Sequence, residues 1–241
     1  MRILATADLH GREDWYQWLA MEAHNQDLIV ISGDLIDRSD DVVPQIKMVI
    51  SWMREIAQTG VAVLLCSGNH DVFPLPLDSQ WDLEFDAVLA GIQGDSWIDV
   101  LPFLHPRCWV NGTRYLGDHH LILTSVPFGA DDNAYLRAMK MGRLIKDQFE
   151  LIPVWIVAHH VPPTGNLASG RNGCPNLACM LEMYQPHLVF CGHDHSAPLR
   201  SGRCVERHGY TGVYNPGFNY IGHIPCHLTM ETTTFRYHWH R

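Results

Sequence analysis

The sequence contains no long hydrophobic run. None of its 241 residues belongs to an apolar stretch that approaches the roughly 18 residues of a transmembrane helix. The start of the chain also lacks a basic segment followed by an apolar one, the pattern of a secretory signal. We therefore expect a protein that neither spans a membrane nor is secreted, and that works in the cytoplasm.

The cysteines are odd in number and form no CxxC pair. There are seven of them, spread along the chain, which excludes a simple disulfide framework. A structural zinc site is also disfavoured, because Cys174, Cys179 and the nearby His160 match no usual ligand spacing. Buried thiols in a reducing compartment are the better interpretation.

Positive charge is scarce. Lys and Arg together number 17 against 26 Asp and Glu, for a formal charge of −9. A surface that binds nucleic acid depends on clustered Lys and Arg, so a nucleic-acid partner is not expected. A phosphate-bearing substrate would need a local source of positive charge. The chain also lacks repeats and long linkers, which indicates one domain over residues 1–241.

Strand-like and helix-like patterns alternate through the first part of the chain. The strand-like runs RILATAD, DLIVIS and VAVLLCS are separated by amphipathic segments at Glu13–His24 and Val42–Gln58. This βαβαβ order predicts a parallel sheet with right-handed crossovers. Residues 71–106 interrupt the order, and we expect them to form an insertion that faces the substrate.

The second half mixes helices with strands of a different kind. Asn111-Gly112 between alternating residues predicts a tight hairpin, and helices are expected at Asp132–Phe149 and Pro175–Tyr184. After the HLVFCGHDH segment only strand-like pieces remain, which predicts an antiparallel ending. The expected fold class is α/β, with α+β character in the C-terminal half.

Polar side chains follow five of the apolar runs. They are Asp8, His10, Asp34, Asn69, His159, His193 and His195. Because ligands of an open α/β sheet gather at the carboxyl ends of its strands, these side chains should meet at one edge. This mixed oxygen and nitrogen set suits Mn, Fe, Co or Zn. Seven ligands exceed one tetrahedral site and fit two metals if one carboxylate bridges them.

The sequence strings around these residues resemble a known family. In order and spacing, DLH, GDLID, GNHD, an HH followed by Pro-Pro, and GHDH resemble the signature blocks of the calcineurin-like metallophosphoesterase superfamily, from Asp8 to His195. YNPG at Tyr214 to Gly217 is similar to a stretch that often follows the last block. The resemblance implies a metallophosphoesterase-type β-sheet sandwich flanked by helices, with two divalent or trivalent metal ions.

Carried over by position, the resemblance assigns each ligand to a metal. One metal would be held by Asp8, His10, Asp34 and His195, and the other by Asp34, Asn69, His159 and His193. Asp34 would be the bridge. The sequence does not choose between His159 and His160, and the family pattern favours His159. His160 would then contact the substrate or support a ligand.

The resemblance also implies a mechanism in which a metal-bound hydroxide attacks phosphorus in line. His70 resembles the family histidine that donates a proton or hydrogen bond to the leaving oxygen, and Asp37 its carboxylate partner. Arg38 resembles a phosphate-contacting arginine of protein phosphatases, although Ser39 replaces the glycine of their GDxxDRG string. Arg171, in the loop before the last block, is a further candidate for substrate contact.

Several substrate classes fit this pattern. GNHD together with the HH and Pro-Pro block resembles small-molecule phosphodiesterases, so a phosphodiesterase is slightly favoured over a phosphomonoesterase. A nuclease of the same superfamily and a non-catalytic interaction module are the alternatives. The first would carry more basic surface, and the second would have lost ligands. The sequence leaves the oligomeric state open.

Overall fold

The structure is a computed structural model that describes residues 1–73, 96–168 and 173–241. Its strands are β1 (Arg2–Thr6), β2 (Leu28–Ser32), β3 (Ala62–Cys66), β4 (Cys108–Val110), β5 (Gly112–Leu116), β6 (Leu121–Val126), β7 (Val154–His159), β8 (Leu188–Phe190), β9 (Val205–His208), β10 (Thr211–Tyr214), β11 (His227–Glu231) and β12 (Arg236–His240). Its α-helices are α1 (Glu13–Ala23), α2 (Val42–Ala57), α3 (Leu101–Leu104), α4 (Asp132–Lys146), α5 (Pro175–Tyr184) and α6 (Ala197–Ser201). None of the helices in these ranges has the length and hydropathy needed to cross a membrane.

The described strands form two mixed sheets of six strands each. The first has the order β12-β11-β1-β2-β3-β4, and the second has the order β5-β6-β7-β8-β10-β9. The predicted βαβαβ unit is confirmed, because β1, β2 and β3 are parallel neighbours. The antiparallel ending is confirmed as well, since β9 pairs with β10 and β11 pairs with both β1 and β12.

The sheets pack face to face with helices outside them, so the fold has four layers. Ile3 and Val30 of the first sheet meet Leu123 and Phe190 of the second in a core between the sheets. Alternate residues face outward and pack under α1 and α2 on one side, or under α4 and α5 on the other. Both faces of each central strand are therefore apolar, as the continuous hydrophobic runs require.

The four helices predicted from the sequence begin where expected, whereas α3 and α6 were not predicted, and α6 interrupts the expected run of strand-like pieces after HLVFCGHDH. The Asp41 carboxylate accepts a hydrogen bond from the Val43 N–H at the start of α2, and Asp131 does the same for Ala134 N–H in α4. These contacts satisfy backbone donors that a helix cannot pair internally. At α5, Pro175 occupies the first turn and the Cys174 sulfur accepts from Leu177 N–H.

The predicted hairpin at Asn111-Gly112 is wrong. Both residues have positive φ, 61° and 87°, as a tight turn would need. However, β4 pairs with β3 in the first sheet, whereas β5 pairs with β6 in the second. The turn thus carries the chain from one sheet to the other, and the local signal does not reveal which strand pairs with which.

The segment at 71–106 is only partly described. Residues Trp97, Ile98, Val100 and Leu101 are buried in the core beneath the first sheet. This end of the predicted substrate-facing insertion therefore packs inward rather than lining the site. Residues 74–95 lie outside the described residues.

Candidate metal centre

The predicted ligands lie in loops at the carboxyl ends of five strands. The first sheet contributes Asp8 and His10 after β1, Asp34 after β2 and Asn69 after β3. The second sheet contributes the histidines that follow β7 and β8. Because the two sheets face each other, their strand ends converge on one polar cluster.

One half of the cluster contains Asp8, His10 and His195. The Nε2 atoms of His10 and His195 lie 3.2 Å apart. Asp8 Oδ1 is 3.5 Å from His195 Nε2, and Asp34 Oδ2 is 3.8 Å from His10 Nε2. Two imidazole nitrogens and two carboxylate oxygens, which are atoms of the kind that bind borderline metals, therefore lie close together.

The other half contains His160, Asn69 and His193. Asn69 Oδ1 lies 2.9 Å from His160 Nε2 and 2.8 Å from His193 Nδ1. His160 Nε2 is also 3.3 Å from Asp34 Oδ2, so the Asp34 carboxylate reaches both halves. Of the predicted ligands, the structure thus brings together all except His159.

The structure places His160 in the cluster and His159 outside it, whereas the family pattern favoured His159 as the ligand. His159 Nδ1 is 3.0 Å from the Val126 carbonyl oxygen, and its Nε2 is 2.5 Å from the Tyr135 hydroxyl. Both ring nitrogens are therefore used outside the cluster. His160, expected to contact substrate or support a ligand, lies in the cluster, with Nε2 near Asn69 Oδ1 and Asp34 Oδ2.

Side-chain alternation along β7 explains this exchange. Ile156 and Ala158 face the core between the sheets, whereas Trp155 and Val157 face α4 and α5. Residues two apart share a face, so His159 follows the helix-facing set. His160 comes next and turns toward the opposite sheet, where the other ligands lie.

The cluster has the chemistry of a cation site. Asp8 and Asp34 are almost fully buried, and their carboxylates contact histidine rings and backbone N–H groups. Two pairs of imidazole nitrogens face each other at 3.2 Å, His10 with His195 and His160 with His193, and buried carboxylate and amide oxygens surround them. Such groups repel one another unless a proton or a cation lies between them. The residues present therefore fit two metal ions.

A hydrogen bond on the far side of the ring orients His160 toward the cluster. Its Nδ1 lies 2.8 Å from the Ser32 carbonyl oxygen, which can only accept, so Nδ1 carries a proton and Nε2 faces the cluster. Burial disfavours both charged forms, yet the contact between His160 and Asp34 raises the pKa of the imidazole and lowers that of the carboxyl. A metal ion at Nε2 would take the place of the second proton.

The ligand loops hold unusual backbone conformations. Asp8, His10, Asp34 and His193 all have positive φ, between 46° and 67°. Such conformations are uncommon for residues with a Cβ and persist where the surroundings impose them. Hydrogen bonds of 2.9 Å from Asp8 N–H to the Gly33 carbonyl and from His10 N–H to the Asp34 carbonyl join the two loops.

Gly68 allows the β2 and β3 loops to approach. A Cβ at Gly68 would overlap the backbone nitrogen and the carboxylate of Asp34. The absence of a side chain therefore lets Asn69 and Asp34 sit beside each other.

Asp71 holds the same loops together. Its buried carboxylate accepts hydrogen bonds from the N–H groups of Gly68 at 2.8 Å, Leu35 at 3.0 Å and Ile36 at 3.3 Å. Burial and the neighbouring Asp34 charge raise the pKa of Asp71 to about 7, against the effect of these donors. These contacts make Asp71 a residue that joins the loops after β2 and β3.

We expect Asp71→Ala to destabilise the protein by about 3 kcal/mol or more, because several buried N–H groups lose their acceptor. Asp118→Ala is the control, since Asp118 is exposed in an ion pair with Arg107 and should cost less than about 1 kcal/mol. Urea unfolding in a chelator-containing buffer measures both without a contribution from bound metal. Similar losses for the two variants would contradict the role of Asp71.

His70 lies beside the cluster and is paired with Asp37. The two side chains meet through His70 Nδ1 and Asp37 Oδ1 at 3.1 Å, and the ring of His70 lies 4.7 Å from that of His10. The ionised carboxylate can only accept, so the proton of this contact belongs to Nδ1. His10, Asp37 and His70 also bring donor atoms within 4.8 Å of one another. Because His70 Nδ1 contacts Asp37, we interpret His70 as a residue that lies beside the metal cluster rather than as one of its ligands.

Of the two arginines predicted to contact substrate, Arg38 lies in the described part of the chain and Arg171 does not. Arg38 is exposed next to this pair, with its backbone nitrogen 3.3 Å from His70 Nδ1 and its Nη1 3.5 Å from the Asn69 carbonyl oxygen. Arg171 lies outside the described residues. Cys174 contacts Tyr135 and the start of α5, whereas His160 lies in the cluster.

Two residues that support the site were missed by sequence reasoning. Tyr135 fixes His159, and Asn215 bridges the last ligand loop by donating to the carbonyl oxygens of Gly192 at 3.1 Å and Asp194 at 3.2 Å. Asn215 belongs to the YNPG stretch, so a signal for it was present. Tyr135 lies in an ordinary amphipathic helix and had none.

The two adjacent histidines offer a direct test. We expect His160→Ala to lower the bound metal to about one ion per chain or less, because a buried nitrogen ligand is lost. His159→Ala should keep the metal content while reducing stability, since it loses only the contacts with Tyr135 and Val126. Metal analysis of the purified variants, with their melting temperatures, separates the two. Metal loss on His159→Ala alone would reverse the assignment.

Comparison with known proteins adds to this geometry. The family model described as calcineurin-like phosphoesterase matches residues 1–197. The structure is similar to that of TT1561 of Thermus thermophilus, with 14% identity, coverage of 100% of this chain and 98% of that chain, and a TM-score of 0.68. It is also similar to a dimetal phosphatase from Danio rerio, with 12% identity, coverage of 95% and 91%, and a TM-score of 0.57. A sequence search of curated proteins found no match. At these identities the structural likeness concerns the fold.

Proposed function

This chain belongs to the calcineurin-like phosphoesterase family and is a metal-dependent phosphoric ester hydrolase, and we propose that it acts on small phosphoesters. Phosphodiesters are the favoured substrates. The observation that carries the proposal is the convergence of two carboxylates, an amide oxygen and four imidazoles at the strand ends, with the His70–Asp37 pair beside them.

The ligands divide into two sets that share Asp34. We propose that Asp8, His10, Asp34 and His195 hold one ion, and that Asp34, Asn69, His160 and His193 hold the other. Mn, Fe, Zn and Co all suit this mixture of donors. When bound, two such ions neutralise charge on the phosphoryl oxygens and make a water molecule nucleophilic near neutral pH.

His70 is proposed to act on the leaving group. Its Nδ1 is bound to the Asp37 carboxylate, so its Nε2 is the nitrogen left to serve the reaction. The contact with Asp37 orients the ring, so that Nε2 can donate a proton or a hydrogen bond to the departing oxygen. Asp37 itself is fixed by Ser39, whose hydroxyl and backbone N–H both donate to Asp37 Oδ1.

Arg38 is proposed to contact the phosphoryl oxygens from the rim. Its guanidinium is exposed near the Asn69 carbonyl, and its planar fork can bind two oxygens of a phosphate. The remaining positive charge would come from the metal ions, which explains how a chain with a formal charge of −9 can bind an anion.

Small substrates are favoured over nucleic acid because of that charge. A nuclease would need a broad basic surface to neutralise many phosphates, and acidic residues outnumber basic ones here. We further propose a cytoplasmic location, which is supported by seven free cysteines, five of them buried.

The proposal is tested by metal analysis and metal-dependent hydrolysis. The protein is stripped with a chelator, reloaded with Mn²⁺, Zn²⁺, Co²⁺ or Fe²⁺, and assayed on bis(p-nitrophenyl) phosphate and p-nitrophenyl phosphate. We expect about two ions per chain, no hydrolysis after stripping, and faster hydrolysis of the diester. No bound metal and no hydrolysis with any of these ions would overturn the proposal, and faster hydrolysis of the monoester would overturn the diester preference alone.

A further inference from the structure

Aromatic rings flank both halves of the metal cluster. Phe218 stacks on His195, with ring centroids 4.5 Å apart and an angle of 13° between the planes. On the other side, the ring of Phe128 lies 6.0 Å from that of His160 and 6.4 Å from that of His193. Both phenylalanines are half-buried, so each keeps part of its surface exposed beside the cluster.

Tyr220 extends the wall on the His195 side. Its ring is 4.9 Å from that of Phe218, edge to face, and 6.3 Å from that of His195. The side chain is 61% exposed, and the adjacent Ile221 is 93% exposed. Large apolar side chains grouped at the edge of an active site indicate a surface that contacts a ligand.

The loop that carries Tyr220 is held in place. Arg12 Nη2 and Trp15 Nε1 both donate to the Gly222 carbonyl, at 2.9 Å and 3.2 Å. Within the loop, Asn219 accepts from Gly222 N–H at 2.9 Å and donates to the Ile224 carbonyl at 3.1 Å. The exposed side chains are therefore displayed by a braced segment, which lowers the entropic cost of binding.

The surface offered by this loop is aromatic rather than charged. Arg12, which donates to the loop at Gly222, and His223 within the loop both contact Asp14, at 3.0 Å and 3.5 Å. Their polar groups are thus engaged with one another. A flat, uncharged group of the substrate fits such a wall better than a second phosphate, because aromatic rings favour stacked or edge-to-face contact with another ring.

We propose that Tyr220 and Phe128 contact an aromatic ring carried by the ester group of the substrate. This inference rests on the proposed phosphoesterase function and defines its substrate class as aryl or nucleobase-bearing phosphoesters. The phosphate lies at the metal cluster, and the ring lies between Tyr220 on the His195 side and Phe128 on the His160 side. Tyr220 and Phe128 then determine specificity without taking part in the chemistry.

The test compares substrates that share one leaving group. Thymidine 5′-(p-nitrophenyl phosphate), phenyl p-nitrophenyl phosphate and methyl p-nitrophenyl phosphate all release p-nitrophenolate, so they differ in the retained ester group. For Tyr220→Ala we expect the ratio of kcat/KM for the thymidine ester over the methyl ester to fall about ten-fold. Tyr220→Phe should restore the ratio, since the ring is kept. A fall with the phenyl ester as well would identify a general aryl site, and a fall with thymidine alone a nucleobase site.

The controls separate this inference from the proposed function. Tyr210 is 83% exposed in the turn between β9 and β10, at the opposite end of the sheet, and Tyr210→Ala should leave all ratios unchanged.

If the wild type hydrolyses the methyl ester but neither Tyr220→Ala nor Phe128→Ala changes the ratio, the inference is wrong and the proposed function stands. If the wild type hydrolyses none of the esters, calorimetric binding of thymidine 5′-phosphate and inorganic phosphate to the Mn²⁺-loaded protein decides. Weaker binding of only the nucleotide in Tyr220→Ala supports the wall, and equal binding overturns it.

Discussion

Replacing Asp34 with alanine is expected to abolish both stable metal binding and hydrolysis. The carboxylate of Asp34 reaches both halves of the cluster, at 3.3 Å from His160 Nε2 and 3.8 Å from His10 Nε2. Its other oxygen accepts from His70 N–H at 2.8 Å. Loss of a shared anionic ligand should lower kcat/KM by about 10³-fold or more.

Metal content and turnover should be measured on the same preparation of Asp34→Ala. Asp40→Ala is the matched control, because Asp40 is exposed in the same loop and should leave both quantities unchanged. Asp34→Asn keeps the shape but removes the charge, so we expect it to bind fewer ions than the wild type. Two tightly bound ions in Asp34→Ala would show that this residue is not the bridge.

The second large effect is expected for His70→Ala. Removing a positioned proton donor should lower kcat by about 10²- to 10⁴-fold. The metal content should persist, because the His70 side chain is bound to Asp37 and stands beside the ligand set. A parallel but smaller loss is expected for Asp37→Asn, which keeps the imidazole and weakens its orientation.

The dependence on leaving group identifies the role of His70. An alkoxide leaving group needs protonation more than p-nitrophenolate does, so His70→Ala should slow an alkyl phosphoester more than a p-nitrophenyl one. Equal losses for both leaving groups would indicate that His70 only supports the structure. Loss of one metal ion from His70→Ala would instead place it among the ligands, as its proximity to His10 permits.

Much of the fold could be predicted because its signals are local. Continuous Val, Ile and Leu runs identify β1, β2 and β3, and the capping residues Asp41 and Asp131 mark the starts of two helices. The order of polar residues after strands also predicted a shared site, and six of the seven expected ligands do lie together. The prediction of a shared site depended on spacing alone, since each expected ligand was identified by its position after a strand.

The hairpin and the placement of His159 and His160 depend on contacts that are not local. Asn111-Gly112 has the backbone of a tight turn, but whether its strands pair depends on the partners that each finds. His159 and His160 are adjacent, and only the packing of β7 between a second sheet and a helix layer decides which one faces the ligands. Both faces of that strand are apolar, so the alternation that usually separates inside from outside is absent.

The sequence by itself determined the elements, the class of the site and its chemistry, because hydrophobic period, caps and short motifs are properties of neighbouring residues. The tertiary structure decided what depends on residues far apart in the chain. It places His160 rather than His159 in the cluster, links Asp71 to the β2 loop and sets Tyr220 against Phe218 and His195. These arrangements depend on which strands become neighbours and on which faces of the two sheets meet, and no local pattern records either.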